Sequence, residues 1–232
     1  MIRIFKNGFY NLLTLVLPAL FMIVATPLLI SWLGMELFGL WIICSTLLGL
    51  FGLLDFGLKE TAIAMIPKYS AVGDKPGLIA SVRSMLALNL LMGAFSMLVL
   101  LISAPTIVGI LSVSPRYVDD TITAFQILSF GLIPSLSINL LSAFAMGHQR
   151  FDLSTYLIVG RNLLNTIGTV AIAATTKRLA PMITLSVMIS WLFMILGFIF
   201  LLKAVPIRKL SSLPKAREIK KVISFSGYSF IT

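Results

Sequence analysis

Three groups of polar residues in this 232-residue chain have the type and spacing to do chemistry, and all lie in stretches that are otherwise apolar. Ser135, Asn139 and Ser142 recur at i, i+4 and i+7, one face of a helix, near Pro134. They read either as hydrogen-bonding glue between helices or as a cavity wall for sugar hydroxyls or water. In "VGRNLLNTIGT", Asn162, Asn165, Thr166 and Thr169 run along a second helix, with Arg161 one turn below Asn165. Arg161 is the only cation well inside an apolar stretch, either an anion ligand in a cavity or a side chain snorkelling to the interface. The third group lies in "FGLLDFGLKE", where Asp55 and Lys59, at i and i+4, predict an ion pair at a helix end. Gly49 and Gly52, on the preceding turns, predict close approach of a neighbouring helix.

These groups need a membrane to give them meaning. The chain is 59% hydrophobic and 11% charged, with mean hydropathy +1.05, well outside the soluble range. Six spans are expected, at about 12–33, 37–58, 85–111, 121–146, 153–176 and 182–202, each long enough for a hydrocarbon core about 30 Å thick. The fold class is therefore an all-α polytopic membrane protein, a single six-helix bundle over 1–202. A basic cytoplasmic linker is expected at 203–221, and a seventh helix starts at 222–232. The basic amino terminus reads as part of a retained first helix, since the apolar run continues to Leu33 without a cleavage site. Residues 9–14, "FYNLLT", lie over 227–232, "GYSFIT", the kind of match an internal duplication leaves.

Charge sets the orientation. With a cytoplasmic amino terminus, fourteen Lys and Arg fall on the cytoplasmic side and three, Arg116, Lys177 and Arg178, on the other. The net charge of +10 thus belongs to loops, and no nucleic-acid partner is expected. A single cysteine, Cys44, excludes an internal disulfide or cysteine metal site. One histidine, His148 in "MGHQRFD", and the lack of HExxH, GxSxG and P-loop motifs argue against an enzyme, and no cofactor is expected. Asp119 and Asp120 read as a solvated loop after Pro115.

Residues 17–74 carry a more specific pattern: a proline-containing first helix ending in "LGMELFGLW", a second ending in "LDFGL", and "GD" in the following loop. This resembles the polysaccharide flippases, of the O-antigen type, in the multidrug/oligosaccharidyl-lipid/polysaccharide exporter superfamily. The resemblance is close over the first two spans and holds by pattern over the other four. It implies two six-helix bundles around a central cavity, of which this chain is the amino-terminal half. It also implies movement of an undecaprenyl-diphosphate-linked oligosaccharide across the bacterial inner membrane by alternating access, with glycan polymerase or assembly proteins as partners. On that basis Arg161, Lys59 and Arg83 become candidates for the anion, and Asn139, Asn162 and Asn165 for the sugar, with Asp55 holding Lys59 in place. Two rivals remain open. A cation-coupled drug exporter of the same superfamily needs an embedded carboxylate, for which Asp55 is the candidate. In a non-transporting membrane scaffold the polar stripes are packing contacts.

Overall fold

A computed structural model describes residues 2–55, 57–204, 217–220 and 222–224. The described residues are helical and turn structure without strands, as the expected all-α class requires. The first element, α1 (Ile2–Gly52), contains Pro18 and Pro27 and is divided at Gly34, whose φ of 76° and ψ of 169° lie outside the helical region. Only glycine adopts that backbone without strain, so Gly34 separates the first two expected spans. Its second arm ends at Gly52, earlier than the expected 58, and a 3₁₀ turn (Leu53–Asp55) follows.

The stretch 59–84, expected as a loop, is mostly helix. α2 (Leu58–Val72) buries Leu58, Ala62, Met65 and Ile66 along one face and ends at the left-handed Gly73. That face meets the helix that ends at Gly147, and this glycine allows the contact: a Cβ there would stand 2.9 Å from Ile66. α3 (Lys75–Ile110) starts ten residues before the expected boundary, because Asp74 Oδ1 accepts from Gly77 N at 2.9 Å and Pro76 preorganises the first turn.

The fourth span is two helices in line, α4 (Val118–Phe130) and α5 (Leu132–Gly147), broken at Gly131. Pro134 has no N–H to complete the ladder across that break. The fifth is α6 (Phe151–Thr155), a π-helical turn (Tyr156–Gly160) and α7 (Arg161–Thr176). The sixth, α8 (Leu179–Ala204), begins where Asp120 Oδ2 accepts from Leu179 N at 2.7 Å. Asp120 is thus a helix cap rather than part of a solvated loop.

Two buried apolar clusters hold the bundle. One joins Leu29, Leu100, Phe125 and Met182; the other joins Ile66, Met85, Ile138, Phe144 and Phe193. The outer surface is apolar as well: Ile23 is 69% exposed, Leu91 68% and Ile102 76%, a lipid-facing belt on a multi-pass membrane protein. Residues 205–216 and 225–232, which carry most of the expected linker, the seventh helix and the 227–232 repeat, lie outside the described residues.

Candidate functional site

The second arm of α1, with α4, α5, α7 and α8, lines a partly open cavity of about 410 Å³. It lies inside the roughly 300–1,000 Å³ range of small-molecule sites, toward the size of a headgroup rather than a whole oligosaccharide. Ser45, Ser135, Asn139, Arg161, Asn165 and Ser186 supply its polar lining, and Trp41, Leu48, Leu128 and Ile183 part of its apolar lining. Each polar position follows from helical periodicity within its own element. Ser135 and Asn139 are one turn apart on α5, and Arg161 and Asn165 one turn apart on α7.

The π turn sets the facing of α7. A π turn accommodates one extra residue, so everything after it is rotated relative to an unbroken α-helix. Arg161 is the first residue beyond that turn, and Gly160 before it packs against the Phe193 ring. Arg161 Nε donates to Ser190 Oγ at 3.2 Å, and Ser190 Oγ donates to Ser186 O at 2.9 Å. Ser190 is eleven residues from one end of α8 and fourteen from the other, about 16 and 21 Å at helical rise. Arg161 therefore points to mid-depth in the bundle rather than snorkelling to the interface.

Among the described residues no carboxylate lines the cavity, so none of them gives the guanidinium a counter-charge there. Asn165 Oδ1 is a buried acceptor without a hydrogen-bond partner, which a donor within the cavity could satisfy. Guanidinium donors, two amides and several hydroxyls suit a ligand that joins negative charge to hydroxyl groups. They include no nucleophile paired with a base, and His148 is not in the lining.

Three of the six expected site residues, Arg161, Asn139 and Asn165, are brought together here, and three are not. Asn162 lies beside that face, and its carbonyl accepts from Thr166 Oγ1 at 2.9 Å. Arg83 on α3 is bound by the Glu218 carboxylate. Lys59 is half-buried in the first turn of α2.

The expected Asp55–Lys59 ion pair does not form. The 3₁₀ turn takes Asp55 out of helical register with α2, and its Oδ1 instead accepts from Gly57 N at 3.0 Å, closing a turn around the left-handed Gly57. Partial burial raises the Asp55 pKa above the ordinary carboxylate value, the Gly57 bond opposing that rise. Gly49 and Gly52 also differ from expectation. They line the cavity, and a Cβ at either would meet nothing within 4 Å, so they leave open space rather than seat a helix.

Ser142 divides the α5 stripe. Its hydroxyl is buried 2.7 Å from Ser154 Oγ on α6, so this end of the stripe is interhelical glue while Ser135 and Asn139 face the cavity. Ser186 and Ser190 were not singled out from the sequence, although their i, i+4 spacing in the apolar "LSVMIS" is a readable signal. Ser45 carried no such spacing.

The helical bundle has counterparts among known proteins. Over 152 residues the sequence is 32% identical to a Shigella flexneri protein named "Putative O-antigen transporter", covering 65% of this chain and 35% of that protein. The fold matches a solved MOP superfamily transporter from Pyrococcus furiosus, reported for the reversed polarity of its binding pocket. That match has a TM-score of 0.70 at 18% identity, covering 99% of this chain and 51% of the other. No protein-family profile matches the sequence. At 18% identity the likeness to the solved MOP superfamily transporter is one of fold. In sequence the chain is similar to a protein named as an O-antigen transporter. It spans about a third of the curated relative and about half of the solved transporter.

Proposed function

We propose that this chain serves as one bundle of a two-bundle transporter that carries an undecaprenyl-diphosphate-linked oligosaccharide from the cytoplasmic to the outer leaflet of the bacterial inner membrane. The observation that carries this reading is the cavity's charge: one guanidinium at mid-depth, amides and hydroxyls beside it, and no carboxylate among the described residues. A bare cation in a low-dielectric site favours an anionic ligand, and a diphosphate meets that demand. Asn139 and Asn165 then receive sugar hydroxyls, with alternating access exposing the cavity to each leaflet in turn. The O-antigen name of the Shigella flexneri relative supports the same cargo. A cation-coupled exporter lacks support here, since its coupling carboxylate would have to be Asp55, which is engaged with Gly57 and lies outside the cavity.

The test is display of surface glycan in cells that depend on the protein containing this chain. Arg161→Ala should abolish display while membrane insertion is unchanged, and Lys59→Ala should leave display intact. Normal display from the Arg161→Ala protein would overturn the assignment.

A further inference from the structure

A second recess, about 360 Å³, lies between α5, α6 and α8, apart from the Arg161 cavity. Its walls are Leu141, Phe144, Leu153, Leu157, Phe200 and Leu201, and its polar groups are His148, Arg150 and Lys203. The two kinds of residue are separated along the helix axes. On α5 the lining passes from Leu141 to His148, just beyond its end, and on α8 from Gly197 to Lys203, so apolar wall gives way to basic rim over about 10 Å. Both helices meet the basic rim at the same end of the bundle, where α8 finishes.

We propose that this recess binds an anionic phospholipid of the surrounding leaflet, with its phosphodiester on Arg150 and Lys203 and an acyl chain between Phe144, Leu157 and Phe200. The layering is what a lipid requires: hydrocarbon beside hydrocarbon, and cations at the depth of the phosphate. A soluble phosphate would gain nothing from the apolar wall. Asp152 offsets the charge of Arg150, and Lys203 leaves the rim net positive. The carboxylate holds Arg150 through Nε at 3.1 Å and Nη2 at 3.1 Å, orienting the guanidinium and leaving Nη1 for a phosphate oxygen. His148, at the same rim, supplies a further ring N–H. The site stands independently of the Arg161 cavity, since the two linings share no residue.

The experiment is a lipid titration of the detergent-solubilised chain, with bound lipid counted by native mass spectrometry and fold checked by circular dichroism. Phosphatidylglycerol should be retained in preference to zwitterionic phosphatidylcholine. Arg150→Gln with Lys203→Gln should weaken its binding roughly 30-fold, about 5-fold per cation. Both side chains are exposed, so their replacement leaves the packing intact. Equal retention of the two phospholipids, or retention unchanged in the double variant, would overturn the proposal. Glycerol 3-phosphate competing as well as the intact lipid would make this a free-phosphate site and overturn it too. Undecaprenyl phosphate displacing phosphatidylglycerol would assign the recess to the cargo and also refute it.

Discussion

Replacing Arg161 with methionine should move stability and binding in opposite directions. Methionine keeps much of the side chain's length and removes its charge. A central Arg costs about 2.5–3.5 kcal/mol on insertion scales, and no carboxylate among the described cavity residues offsets that cost. The bond to Ser190 is lost, worth about 0.6 kcal/mol between membrane helices. Ser190 keeps its donation to Ser186 O, so no buried donor is orphaned. The variant should therefore be more stable by about 2–3 kcal/mol, measurable by urea titration in detergent followed by circular dichroism. Hydrogen bonds to charged groups contribute about 1.5–3 kcal/mol each, so calorimetric affinity for inorganic diphosphate should fall roughly 10- to 150-fold. A destabilised variant that binds diphosphate as wild type does would show Arg161 to be a structural residue, and the cavity reading would fail.

Substitutions at three further positions test the surrounding geometry. Gly49→Leu should block diphosphate binding while the melting temperature holds or rises, because its Cβ meets no atom within 4 Å and Gly costs about 1 kcal/mol in a helix; unchanged affinity would show that the ligand lies elsewhere. Asp55→Asn, which still accepts from Gly57 N and removes a partly buried charge, should match or exceed wild-type stability in denaturant titrations. Asp55→Ala should lose about 0.5–1.5 kcal/mol, and loss of stability in both would restore the ion-pair reading. Gly34→Ala should cost about 1–3 kcal/mol despite open space around its Cβ, since the penalty is backbone strain at φ 76°; a neutral result would refute the break at that residue.

Much of the site was readable as positions and little of it as neighbours. Arg161, Asn139 and Asn165 stood out because a polar side chain in an apolar span is visible without knowing what surrounds it. Arg83 and Lys59, outside the expected spans, became candidates through the family resemblance, and nothing local showed what either would meet. Arg83 is taken up by Glu218, 135 residues away in sequence, a partner that no motif or spacing connects to it. Asp55 shows the same limit at short range. Its i, i+4 relation to Lys59 would hold in a continuous helix, but the 3₁₀ turn and the left-handed Gly57 remove that relation.

By itself the sequence determined the membrane character, the all-α class and the family resemblance. Those properties are local, since bilayer thickness demands a fixed length of apolar chain and leaves no choice about backbone pairing. The tertiary structure decided which polar residues share a cavity. That depends on the kink at Gly34, the break before Pro134 and the rotation introduced by the π turn before Arg161. Each is confined to one residue or one turn, too local to alter hydropathy yet large enough to change which way the following side chains face.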